Sequence, residues 1–144
     1  MADSETIRRA DFRVFRAIPT RWLDNDVYGH VNNVVYYSYF DTAVTGHLVE
    51  SGVLDYQNAP VFGIVVETKC SFLKELAFPD IVEAGLRIAR LGNSSVRYEI
   101  ALFREGDPEP AAFGYFIHVY VDRESRRPVR IPDHVRAVMA PLVA

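Results

Sequence analysis

The run from Val34 to Phe40, continuing through Thr45, is apolar or aromatic on most sides of a helix, and this restricts what the chain can fold into. Asn32 and Asn33 stand just before it, and asparagine is a good helix N-cap. Apolar residues at 36, 40, 43, 44 and 48 keep helical spacing, and Gly52 suits the position after a helix end. The β-branched and aromatic residues of 34–40 also suit a strand. However, the run continues through Asp41, Thr42, Ala43 and Val44 without a break. A helix this apolar nearly all round is expected to be buried, so the remaining elements must wrap it.

Those elements have strand periodicity. Residues 11–18 partly alternate, with Phe12, Val14 and Ile18 on one side. In 61–74, Ile64, Val66, Cys70 and Phe72 fall on one face and Glu67, Lys69 and Ser71 on the other. Residues 81–91 and 95–104 alternate as well, and Gly92-Asn93 between them signals a hairpin. Residues 111–121 are apolar on both faces, which suits a central strand. Pro132 opens a short final helix over about 132–140. The order is strand, helix, then four strands joined largely by hairpins. It predicts an α+β domain over 1–144, with an antiparallel five-stranded sheet around a long central helix.

Composition narrows the function. The 144 residues carry a net charge of −3, so no general basic field favours nucleic acid. Of the 16 cations, Lys69 and Lys74 are the lysines and the rest are arginines. A compositional bias accounts for this as simply as phosphate binding does. Cys70 is the single cysteine, so no intrachain disulfide can form and a reducing compartment is expected. The N-terminal MADSETIRRADF has no apolar core of a secretory signal. No window approaches a membrane-spanning length of apolar residues. The expectation is a cytoplasmic protein without membrane contact.

Chemistry concentrates in Arg21–Asp41, where Asp24, Asp26, Gly29, His30, Asn32 and Asn33 precede the helix. Near neutral pH, Asp26 is a carboxylate, able to act as general base or nucleophile. The unsatisfied N–H groups at the helix start, about Asn33, can hold a developing oxyanion. Spacing alone leaves a second reading open, in which both aspartates only complement the helix dipole. His30, following Gly29, suits a hydrogen-bonding brace better than a base. Cys70 faces Phe72 and belongs to the core. His47, His118 and His134 are too dispersed for a metal site, and His118 suits a satisfied core histidine. The tyrosines from 36 to 39 are packing residues, one of which can line an acyl pocket.

The pattern Asp24-x-Asp26-x-x-Gly29-His30-Val31-Asn32-Asn33, followed by Tyr36, Tyr37, Tyr39 and Phe40, resembles hotdog-fold acyl-CoA thioesterases of the 4-hydroxybenzoyl-CoA thioesterase type. The resemblance spans about residues 12–130. It implies the hotdog fold, Asp26 as catalytic carboxylate, and the backbone N–H near Asn33 as the group that polarises the thioester carbonyl. It implies no cofactor, and an acyl-CoA or acyl-carrier protein substrate. It also implies a homodimer or homotetramer with sites between subunits. Arg90, Ser94 and Ser95 correspond to the region that meets the nucleotide end of coenzyme A, although Arg90 is the sole cation of that turn. Two rivals share the fold: a non-catalytic acyl-thioester-binding protein, and an enoyl-thioester hydratase, whose different Asp/His motif is not found here.

Overall fold

In a computed structural model describing residues 7–144, the apolar run forms α1 (Asn33–Glu50), preceded by β1 (Val14–Pro19). Then follow β2 (Val61–Phe72), β3 (Ile81–Leu91), β4 (Ser95–Arg104), β5 (Pro110–Asp122) and a short α2 (Asp133–Met139). The strands make one antiparallel sheet in the order β1-β3-β4-β5-β2. Successive hairpins join β3, β4 and β5, but β2 crosses to the far edge instead of pairing with β3. Residues 1–6, part of the segment judged to lack a secretory signal, lie outside the described residues. Among the described residues, no helix is long and apolar enough to cross a membrane.

The N-cap is Asn32, whose side chain accepts a hydrogen bond from the Val34 N–H, and Gly52 adopts the left-handed φ of +74° that stops the helix. The helix has 18 residues and is therefore about 27 Å long. Its buried face is Tyr36, Tyr39, Phe40, Ala43, Val44 and Leu48, spaced as one stripe. Burying each large side chain here contributes about 1.5–3 kcal/mol. Burial is not complete all round: Val34 and Val49 are exposed on the opposite face. The apolar composition overstated how much of the helix one chain can cover.

Two strand patterns need correction. A bulge between Val65 and Glu67 shifts the β2 register, so that Val65 pairs with His118 while Cys70 pairs with Gly114. The extra residue reverses alternation. It places Val65, not Ile64 or Val66, on the helix-facing side with Cys70. At the N-terminus, a 3-10 turn over Arg9–Asp11 delays β1 to Val14. Phe12 then packs with Ile7, Ala101 and Phe103 on the outer face, whereas Val14 and Ile18 pack with the main core. Cys70 is buried as expected, and burial pushes its thiol pKa up to about 12.

Gly114 fixes the closeness of β5 and β2 beneath the helix. A Cβ there would collide with the Lys69 carbonyl oxygen and stand 2.6 Å from the Phe40 ring. Gly114→Ala should therefore cost at least about 1–3 kcal/mol. Urea denaturation checks this, and an unchanged midpoint would contradict it.

Candidate active site

The loop after β1 is built around Asp24, which is 1% exposed. Its Oδ2 accepts from the Arg21 N–H (2.9 Å) and from Tyr39 Oη (2.8 Å). Its Oδ1 accepts from Arg21 Nε (3.0 Å) and Nη2 (2.8 Å). The Asp24 carbonyl accepts the Asn32 N–H at 2.9 Å. Burial works to raise the Asp24 pKa, but the Arg21 and Tyr39 hydrogen bonds and the Arg21 charge outweigh it and hold the carboxylate below its ordinary value. Burial and the bond to Asp24 raise the Tyr39 pKa, so its hydroxyl stays a donor. Asp24 thus braces the loop against α1.

Two residues on, the chain reverses tightly. The Asp26 N–H donates to the His30 carbonyl (2.8 Å), and the Gly29 N–H donates to the Asp26 carbonyl (3.1 Å). Gly29 sits at φ +84°, a conformation that costs glycine little and other residues more. Asp26 Oδ1 accepts the Tyr28 N–H at 2.8 Å, which orients the carboxylate. Its Oδ2 makes no hydrogen bond among the described residues. His30 Nε2 lies 2.9 Å from Glu75 Oε2, which ties the loop to the segment after β2.

At the helix start, the Val34 N–H is taken by Asn32 Oδ1 (3.0 Å) and the Val35 N–H by the Asn32 carbonyl (2.9 Å). The Asn33 N–H is left without an acceptor among the described residues. A cavity of about 580 Å³ gathers Asp26, His30, Asn33 and Tyr36. Phe72, Lys74 and Glu75 complete it from the β2 side. Tyr36 is buried, its hydroxyl accepts the Leu76 N–H (3.3 Å), and burial raises its pKa. Lys74 is paired with Asp107 (3.3 Å) and Glu109 (2.8 Å). Gly29 does not line this cavity; it lies in the adjoining groove with Trp22, Val27 and Tyr28.

Four predicted residues therefore meet in one place. Arg90, Ser94 and Ser95 do not join them. Pro19, which leads into the loop, pairs with Ile81 at the start of β3. Arg90 sits at the other end of that strand, about 30 Å along the sheet. The turn there is tied to the C-terminal segment: Arg136 donates to the Gly92 and Asn93 carbonyls, and the Ile131 N–H to Asn93. A smaller cavity of about 300 Å³ lies at this far end, lined by Leu48, Val61, Phe62 and Tyr120 among others, remote from Asp26 of the same chain. Glu75 was missed because no local spacing links it to the loop.

The family model described as the Thioesterase-like superfamily matches residues 20–139, including the whole loop and helix. The chain belongs to this superfamily. It is a thioester hydrolase. The PA5185 protein from Pseudomonas aeruginosa strain PAO1 is 53% identical over 95% of this chain and 96% of its own, with a TM-score of 0.92. The gentisyl-coenzyme A thioesterase BH1999 is 25% identical over 88% of this chain and 100% of its own, with a TM-score of 0.78. The uncharacterized protein YsmA of Bacillus subtilis strain 168 is 21% identical, covering 91% of this chain and 88% of its own.

The brace makes a pH-dependent prediction. Because the Asp24 pKa is depressed on folding, its stabilisation is full above the ordinary carboxylate value and is lost as pH falls through the lowered one. Asp24→Asn should cost about 1–3 kcal/mol at pH 7. The gap to wild type should narrow on acidification. Urea melts at neutral and strongly acid pH measure it, and a gap independent of pH would contradict the assignment.

Proposed function

We propose that this superfamily member is an acyl-CoA thioesterase in which Asp26 and the Asn33 N–H are the chemical groups. The observation that carries the reading is their meeting in one cavity: among the described residues, a carboxylate with a free oxygen beside a helix N-terminus with an unpaired donor. Asp26 takes the proton from an attacking water, or attacks the thioester carbonyl itself to form an anhydride that water then opens. Either route places negative charge on the carbonyl oxygen, and the Asn33 N–H and helix dipole stabilise it. The carbon–sulfur bond breaks and coenzyme A leaves as thiolate. Gly29 makes the turn that aims Asp26, and His30 with Glu75 holds the loop. No step requires a cofactor.

The working unit in this reading is a homodimer formed through β2. That strand is a sheet edge with Ile64, Val65 and Val66 exposed, an arrangement that invites pairing with another strand. Two-fold pairing of identical edges is antiparallel. It would also cover exposed apolar residues beside the loop, where Val27 is 94% and Tyr28 81% exposed. Arg90, Ser94 and Ser95 of one chain lie too far from its own Asp26 for a shared substrate, so their proposed contact with the nucleotide end belongs to another subunit.

A panel of acyl-CoAs scored for free thiol tests the activity: saturable binding without thiol would favour a binding protein, and loss of enoyl absorbance without thiol a hydratase. Asn33→Pro tests the oxyanion donor. It deletes that one N–H at the first helical position, which tolerates proline, after an Asn32 already extended at ψ 138°. Hydrolysis should fall about 10²–10³-fold with the helical circular dichroism kept; an undiminished rate would remove Asn33 from the mechanism. For the dimer, Val66→Lys should convert the sedimentation pattern from dimer to monomer, and a wild-type monomer would contradict the edge pairing.

A further inference from the structure

The hairpin that carries Asp26 brings a second polar side chain to the same cavity. The Asp24 carbonyl accepts the Asn32 N–H and the His30 carbonyl accepts the Asp26 N–H, on either side of an antiparallel bridge between Asn25 and Val31. On such a ladder, residues directly opposite each other project to one face, and the next rung projects to the other. Val31 is buried in the core, and Asn25 Oδ1 accepts the Phe78 N–H. Asp26 and His30 form the next rung, with Cα atoms about 5.5 Å apart. Both line the cavity together with Asn33. A three-residue loop ending in left-handed Gly29 closes the hairpin.

The brace uses one side of the His30 ring. Nε2 lies 2.9 Å from Glu75, while Nδ1 makes no hydrogen bond among the described residues, and the side chain is 42% exposed. A substrate atom can therefore reach the ring. Thioester cleavage sets a requirement that Asp26 and the Asn33 N–H do not meet. When a carboxylate adds to a thioester carbonyl, the adduct can expel either group. An aspartyl carboxylic acid ordinarily ionises at roughly 3.9 and a thiol at roughly 8.5. The carboxylate is the better leaving group, so the adduct reverts unless the sulfur gains a proton as it departs. Lys74 and Tyr36 share the cavity. The hydrogen bond to Glu109 raises the Lys74 pKa and burial raises that of Tyr36, so both keep their protons. Tyr28 offers another phenol, a weak acid for this step. Imidazole is the side-chain group that ordinarily exchanges a proton near neutral pH.

We infer that His30 is the acid that delivers a proton from Nδ1 to the departing sulfur, and that Glu75 is the positioning residue that turns the ring for it. This rests on the proposed thioesterase reading, and it concerns the route in which Asp26 attacks the carbonyl. As the carbon–sulfur bond breaks, its electron pair goes to sulfur. The protonated ring gives its Nδ1 proton to that pair, so the departing thiolate is captured as coenzyme A thiol and a neutral imidazole remains. Water then opens the anhydride at Asp26 into two carboxylates and releases two protons. One restores the imidazolium and the other goes to solvent. Asp26 and His30 thus divide the work across one rung of the hairpin: one makes the bond to carbon, the other lets sulfur go.

The test pairs two thioesters of the same acyl group. One is the coenzyme A thioester, whose alkyl thiol needs a proton. The other is the thioester of a nitro-substituted arenethiol, a much stronger acid that leaves without one. His30→Gln keeps an amide that can meet Glu75 but has no proton to transfer. It should lower kcat for the coenzyme A thioester about 10²-fold, and at least about tenfold more than for the aryl thioester. Wild-type kcat on the coenzyme A thioester should fall on the alkaline side as the ring loses its proton, and this limb should be missing with the aryl thioester. Glu75→Gln, at an exposed position, should show the same leaving-group bias in weaker form, so the inference stays testable if His30→Gln does not fold. Equal losses on the two thioesters would make His30 a brace alone and overturn the inference, as would no loss on either. Both of those results leave the thioesterase reading standing. A wild-type protein that releases thiol from neither compound above the spontaneous rate would overturn that reading itself.

Discussion

The buried Asp24 carboxylate holds the site together. It accepts hydrogen bonds from Arg21 in its own loop and from Tyr39 in the second turn of α1. The same residue's carbonyl receives the helix-capping Asn32. One residue thereby fixes the loop, the helix start and the core-facing side of the helix relative to one another. Both residues of the proposed chemistry, Asp26 and Asn33, lie within this braced segment. Their spacing therefore follows from packing rather than from contact with substrate, and the site is preorganised.

The two carboxylates of the loop differ because their surroundings differ. Asp24 is inside, paired with a guanidinium and a phenol, and its lone pairs are committed. Asp26, two residues later, is half-buried in a cavity wall and keeps one oxygen unbonded among the described residues. The single-residue separation puts one carboxylate beneath the loop and the other at its surface. Gly29 then turns the chain back so that the helix N-terminus faces the same space.

Much of this was legible in the sequence because it is local. The helix declared itself through Asn32 at one end, Gly52 at the other, and the spacing of Tyr36, Phe40, Ala43, Val44 and Leu48. Asp26, His30, Asn33 and Tyr36 share a cavity because a tight turn and one helical turn separate them. Features that depend on tertiary pairing were hidden. Ile64, Val65 and Val66 are all apolar, so alternation cannot reveal the bulge that selects Val65. Phe12 matched the pattern of Val14 and Ile18, but it ends the preceding 3-10 turn, before β1 begins, and packs on the opposite face. Glu75 reaches His30 from another element. The turn bearing Arg90, Ser94 and Ser95 lies at the far end of the sheet, a separation that spacing in the sequence does not encode. His118 was expected to be a satisfied core histidine, but its buried Nε2 has no hydrogen-bond partner among the described residues, which nothing in the sequence reports.

In the proposed mechanism Asp26 supplies the chemistry while Asp24 supplies the frame. Thiol release from a saturating acyl-CoA, measured for wild type, Asp26→Asn and Asp24→Asn alongside their urea midpoints, tests it directly. Asp26→Asn should lower turnover at least about 10²-fold with its midpoint unchanged, and Asp24→Asn should lower the midpoint. An Asp26→Asn enzyme with near wild-type turnover would contradict the claim.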